Sequence, residues 1–381
     1  MENIKLNLSS QISLIEKKLI NSEDNKANNI INNISNNIQQ QILYYFSYDD
    51  QINRKLVIYE LKLEKNALIE QKIKYEIKYK EDIGYFNIHL IAKGNINGKI
   101  YFIFISNTNS YILYAGIYDL ELSQYFPIIL DINVKLKEII KQIPDKDYIT
   151  ICEQNKIFFF GGLIDQSKLR NNTLSQNQNE EESKTLSSRN DYILNKSCIY
   201  FDIEKLDFEK QKFNESSLIP RYKLGGMNEN GLIYLLGGFT TISNDNENNT
   251  NISNNLQFTK FFDDKMHQFN IAKIDEENPK DMIDNDVYMI NNRFLISFSC
   301  YIYAKIWILD IKTNKGININ LKDKIKFEEF NTDNIFFRLI NCDINETNNQ
   351  INLVIAKIIY NDNNKDIKFD IINKSFEYIR E

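Results

Sequence analysis

The sequence predicts an all-β fold, a six-bladed β-propeller preceded by a short N-terminal extension, and three observations carry that prediction. An apolar run ending in small or polar residues recurs at intervals of a length suited to one blade. A second run, closed by an acid, follows each copy of the first. Between these landmarks the chain reads as short segments rich in Tyr, Phe and Ile, with little helical periodicity.

The first landmark is clearest in "GLIYLLGG" (231–238) and "NKIFFFGG" (155–162), and "RFLISFSC" (293–300) fits with Ser299 and Cys300 at the glycine positions. Weaker copies are "GKIYFIFI" (98–105), "QQILYYFS" (40–47) and "QINLVIAK" (350–357). Their last residues fall at 47, 105, 162, 238, 300 and 357, steps of about 58, 57, 76, 62 and 57 residues, inside or near the periods of propeller blades. Glycine weakens an ordinary strand because it loses the most backbone freedom and offers no side chain to pack. Its pairing here therefore points to strands whose backbones approach a neighbour closely, as the crowded inner strands of a propeller do.

The second landmark comprises "VIYELK" with Glu60, "GIYDLE" with Asp119, "IYFDIE" with Asp202, "KFFDDK" with Asp263, "WILDIK" with Asp310 and "IKFDII" with Asp370. Acids at strand ends before polar residues are expected to hold nearby turn amides. The gap between the two landmarks widens in the third and fourth units, which carry polar, low-complexity insertions at 165–191 and 241–255. The third unit then divides into "DYITICE", "KIFFFGG", "KSCIYFDI" and "DFEKQKF", four strands of one blade. "VKLKEIIKQI" (134–143) is compatible with a short helix between blades.

Residues 1–39 form the extension and 40–381 the propeller. "NIKLNL" (3–8) alternates with period 2 and could pair into the last blade, whereas "SQISLIEKKLI" (10–20) places apolar residues 12, 15 and 19 on one helical face. Either use serves as a closing element. "KSFEYIRE" (374–381) is available as the outer strand of the last unit.

These residues resemble the kelch-repeat family. The fullest match is "IPRYKLGGMNENGLIYLLGGFTT" (219–241), which looks like that family's Pro-Arg entry, short turn, apolar strand and Gly-Gly, and "IPDKDYITICEQNKIFFFGGLID" (143–165) is a second copy without the arginine. The resemblance implies a six-bladed kelch-type β-propeller. Some kelch-type propellers are copper oxidases, but such a site needs two convergent histidines. His89 falls on an inner strand of the second unit and His267 near an outer strand of the fourth.

Composition narrows the function classes. A net charge of −6 with Lys and Arg interspersed among Asp and Glu argues against nucleic acid and against an electrostatic membrane anchor. The N-terminus lacks a secretory pattern, and no stretch reaches the roughly 18 apolar residues of a membrane span. A cytoplasmic location, with a cytoskeletal or ciliary assembly as one setting, is the resulting expectation. Cys152, Cys198, Cys300 and Cys342 are widely spaced, so no structural zinc site is expected. The glycine pairs lack any phosphate-loop context. The arginines are scattered, and Trp307 in its apolar strand reads as core.

The resulting expectation is a non-enzymatic protein–protein interaction scaffold with no cofactor, no metal and no small-molecule substrate, binding other proteins through the insertion-bearing face. Connections from second to third strand and from blade to blade share that face in an up-and-down blade. They supply the candidate partner-binding residues Asp49, Asn107, Tyr111, Asp165, Arg221, Thr240, Tyr303 and Asn361. A substrate adaptor of a ubiquitin ligase is the alternative, and a propeller enzyme a third class.

Overall fold

The structure, a computed structural model, describes residues 18–20, 40–49, 55–78, 88–96, 99–106, 113–119, 122, 124–129, 134–166, 192–211, 218–229, 231–240, 255–262, 265–266, 270–273, 286–290, 293–300, 304–311, 315–320, 335–345, 350–361 and 366–377. These residues are nearly all β, arranged in antiparallel sheets built from strands consecutive in the chain. The first sheet has the order β1 (Lys18–Ile20), β2 (Gln40–Asp49), β3 (Lys55–Glu64), β4 (Ala67–Lys78). The second runs β5 (Ile88–Ile96), β6 (Lys99–Ser106), β7 (Leu113–Asp119), β8 (Gln124–Ile129), and is followed by a helix, α1 (Val134–Ile140).

In the third sheet β9 (Lys146–Glu153) pairs with one edge of β10 (Lys156–Asp165). The other edge receives β11 (Tyr192–Leu194) and then β12 (Ile199–Asp202), with β13 (Asp207–Lys210) outermost. The fourth sheet contains β14 (Gly225–Glu229), β15 (Leu232–Leu236), β16 (Asn255–Phe262), β17 (Lys265–Met266) and β18 (Asn270–Lys273), the last two both pairing with β16. The fifth has β19 (Asp286–Ile290), β20 (Phe294–Cys300), β21 (Ala304–Asp310) and β22 (Lys315–Asn320), and the sixth β23 (Ile335–Asn345), β24 (Gln350–Asn361) and β25 (Asp366–Glu377).

The apolar runs of the six copies of the first sequence landmark lie on β2, β6, β10, β15, β20 and β24, and all of these but β15 pair with the strand that bears a described acid. The acids Glu60, Asp119, Asp202, Asp310 and Asp370 lie on those paired strands, while Asp263 and most of both insertions are outside the described residues.

The chain divides into two compact units, 1–85 with 329–381, and 86–328. In the second unit the apolar runs are explained by burial on both faces. Ile157 and Phe159 of β10 pack with Leu136, Ile139 and Ile140 of α1, whereas the intervening Phe158 and Phe160 pack with Ile233 and Leu235 of β15. Tyr234 and Leu236 of β15 turn instead to Val287, Leu295 and Leu309 of the fifth sheet. A strand covered on both faces loses the apolar–polar alternation of a half-exposed one and reads as a continuous apolar run.

In the first unit the first and sixth sheets share one core. Val57, Tyr59, Leu61 and Leu63 of β3 pack against Val354, Ala356 and Ile358 of β24 and Ile367 and Phe369 of β25. Two expectations about the chain ends are corrected here. Lys18–Ile20, part of the segment read as a helical face, is a strand that pairs with β2, because its backbone groups complete the edge of the first sheet. Lys374–Glu377 continue β25 against β24 instead of forming a separate outer strand, since the register runs unbroken from Asn361↔Asp366 to Gln350↔Glu377. Residues 3–8 lie outside the described residues.

Candidate functional site

The distinctive local geometry of the second unit lies where the third and fourth sheets carry their glycine pairs. Gly161 and Gly162 have φ of 67° and 88°, and Gly237 and Gly238 have 68° and 82°, all in the left-handed region that a Cβ disfavours. Space is a second constraint. A Cβ on Gly162 would lie 2.8 Å from the Lys146 carbonyl and 2.7 Å from Tyr148 Cβ, and one on Gly238 would lie 2.7 Å from the Tyr222 carbonyl. Gly161 is pressed against Leu224 and the Arg221 backbone.

The segment that enters each sheet repeats this geometry. Asp147 and Lys223 stand at the same offset before their glycine pairs and are both left-handed, with φ of 57° and 54°. They also meet, because the Lys223 N–H donates to the Asp147 carbonyl at 2.9 Å, while the Gly162 N–H donates to the Arg221 carbonyl at 2.8 Å. The end of the third sheet is thereby stitched to the entry of the fourth. Tyr222 and Phe239 close that entry with a two-way backbone bridge and a ring contact at 5.2 Å.

The first glycine of each pair leaves a carbonyl that must be satisfied, and the two sheets do this differently. In the fourth sheet the Arg221 guanidinium donates to Gly237 O at 3.0 Å and to Gln257 Oε1, which also accepts the Ile219 N–H at 3.2 Å. In the third, Asn195 Nδ2 donates to Gly161 O at 3.0 Å, its N–H donates to Gly162 O at 2.9 Å, and its Oδ1 accepts the Ser197 N–H. Asp145, at the position equivalent to Arg221, accepts the Asp165 N–H at 2.8 Å.

Three of the predicted residues, Asp165, Arg221 and Thr240, are brought to this end of the two sheets. Asp165 ends β10 and is half-buried, and Thr240, also half-buried, follows the Tyr222–Phe239 bridge. Arg221 is corrected as a partner contact: it is 0 % exposed, and its side chain is committed to Gly237 and Gln257. Burial pushes its guanidinium pKa down to about 9, so it keeps its proton at neutral pH. Asp49 and Asn361 end their strands in the first unit, paired with Lys55 and Asp366. Asn107, Tyr111 and Tyr303 lie outside the described residues.

Around the glycine end the charges are mixed and flanked by aromatic rings. Lys146 Nζ sits 3.8 Å from the centroid of the Tyr192 ring. Burial raises the Asp147 carboxyl pKa, although Lys223 and Lys146 pull it back. Burial raises the Tyr222 phenol as well, with the nearby Asp147 charge adding to it. Such an end can offer carbonyls, carboxylates, ammonium groups and aromatic faces to a polypeptide. The shared left-handed position of Asp147 and Lys223 was open to detection by aligning "PDKDY" with "PRYKL". Asn195 and Gln257 had no such signal, because each follows an insertion of different length.

No family model matches the chain, and no curated protein matches it. Solved structures do. One titled "Structure of YjhT" is 10% identical over 86% of this chain and 94% of that chain, with a TM-score of 0.45. The N-terminal domain of Nup159 is 9% identical over 87% and 71%, with a TM-score of 0.35, and the phage phi92 endosialidase is 7% identical over 90% and 66%, with a TM-score of 0.48. These neighbours are β-propeller-like folds. The expectation that the chain is not an enzyme is corrected: one of these neighbours is named an endosialidase.

Proposed function

We propose that the chain is a protein–protein interaction scaffold, a six-bladed kelch-type propeller that binds other proteins through the face bearing the insertions at 165–191 and 241–255. The observation that carries this reading is that each insertion follows the glycine-pair end of its sheet. They depart after Asp165 and after Thr240, directly beyond glycine pairs of matching conformation that are stitched together through Arg221 and Lys223. A rigid base next to variable connections is the arrangement in which loops carry recognition. The six-bladed part is supported by the six sheets of antiparallel strands found among the described residues and by the shared core of the first and sixth sheets.

The test is affinity capture from native cells with the parent chain, a face variant (Lys146→Glu with Asp165→Lys and Tyr192→Ala) and an opposite-end variant. The last is Lys205→Ala with Glu204→Ala, in the turn at the far end of β12. Proteins captured by the parent should be lost from the face variant and kept by the opposite-end variant, with both variants matching the parent in thermal midpoint. Undiminished capture by the face variant would sink the reading.

A further inference from the structure

Among the described residues the buried acids are Glu60, Asp119, Asp147 and Asp202. All but one of them meet a donor. Glu60 holds the Lys72 ammonium, Asp119 accepts the Leu122 N–H, and Asp202 accepts the N–H groups of Glu204 and Lys205. Asp147 is 7 % exposed, and among the described residues no hydrogen bond or ion pair reaches its carboxylate; what acts on it is burial and the charges of Lys223 and Lys146. A buried acceptor without a donor costs stability, and its presence in a native fold calls for a reason.

The fold supplies none. Asn satisfies a left-handed backbone without a charge, and the equivalent position before the next glycine pair is Lys223. The stitch to the fourth sheet is made by the Asp147 carbonyl, not by its carboxylate. The side chain stands instead at the glycine end among aromatic rings. Its charge bears on the Tyr222 phenol, whose ring packs on that of Phe239 at 5.2 Å, and the adjoining Lys146 ammonium lies 3.8 Å from the centroid of the Tyr192 ring.

We propose that the Asp147 carboxylate anchors a basic side chain, an arginine in preference to a lysine, of a polypeptide that docks on the glycine end. The proposal rests on the scaffold reading and names the partner chemistry of that face. A guanidinium presents two parallel N–H donors to a carboxylate and stacks on aromatic faces, so it meets both features of the end at once. Lys146 and Lys223 leave room for it. Both are half-buried, and their flexible four-carbon stems let the ammonium groups swing aside into solvent. Docking then gives the carboxylate the donors that the free chain withholds.

Calorimetric titration of the full chain with an acetylated, amidated Gly-Gly-Arg-Gly-Gly peptide, and with its citrulline counterpart of the same shape and no charge, tests the proposal. The parent should bind the arginine peptide at least about tenfold more tightly than the citrulline peptide. Asp147→Asn, which keeps the left-handed backbone, should erase that preference without lowering the thermal midpoint, and Lys205→Ala in the turn at the far end of β12 should preserve it. Equal affinity of the parent for the two peptides overturns the proposal, as does a preference that survives Asp147→Asn. Affinity capture separates it from the reading beneath it. Proteins lost from the face variant but kept by Asp147→Asn would overturn this proposal and leave the scaffold reading standing, whereas undiminished capture by both variants would overturn both.

Discussion

Gly162 is held by two independent constraints, a left-handed backbone and contacts with Lys146, Tyr148 and Pro144, of which the first two cannot withdraw without moving β9. Gly162→Ala is expected to cost about 2–4 kcal/mol, read as a lower urea midpoint with an unchanged slope. Asp147 is a different case. It adopts the same left-handed region with a buried carboxyl whose pKa is raised by desolvation. A raised folded-state pKa means that its contribution to stability is fully present below the unfolded value of 3.8 and is lost as pH rises through the folded one. Asp147→Asn, which tolerates the left-handed backbone, should therefore raise the thermal midpoint at pH 7 and converge on the parent below about pH 4. Thermal scans across that range check the sign.

The recurring acids act at the scale of the hairpin. Asp202 ends β12, accepts the N–H groups of Glu204 and Lys205 at 3.0 Å, and lies 3.6 Å from the buried Lys156 ammonium that starts β10. Asp119 accepts the Leu122 N–H in the same manner, and Asp310 receives Arg293 through two nitrogens. Glu60 works by charge instead. Burial pulls its pKa up, but hydrogen bonds and charge from Lys72 and Lys74 outweigh that, and the net direction is down. Asp202→Ala removes two turn bonds and the acid beside a buried lysine, a loss of about 2–3 kcal/mol. Lys205→Ala, on the exposed side of the same turn, should change stability by no more than about 0.5 kcal/mol. Paired urea titrations separate the two. The acids and the apolar strands were legible because each is set by residues close in sequence. The roles of Asn195 and Gln257 were not, because their partners, Gly161 and Arg221, each lie across an insertion from them.

At the scale of the whole molecule, the first unit is assembled from both ends of the chain. Tyr59, Leu61 and Leu63 have Ile358, Ile367 and Phe369 as their cover. Truncation after residue 365 should uncover that face and render residues 55–78 the earliest site of proteolytic cleavage, while residues 146–165 stay resistant; mass mapping of limited-proteolysis fragments distinguishes the two regions. The sequence by itself determined the strand-rich repeating units, the position of each glycine pair and the strand that bears each of the five described acids, since backbone preference and periodicity are local properties. Only the tertiary structure decided that Arg221 is buried, that Lys18–Ile20 pairs into the first sheet, and that the Gln71 amide bonds to Ile367 and Phe369 of β25. Burial and the cover of a strand edge depend on which distant segments come to lie alongside, and no stretch of neighbouring residues carries that information.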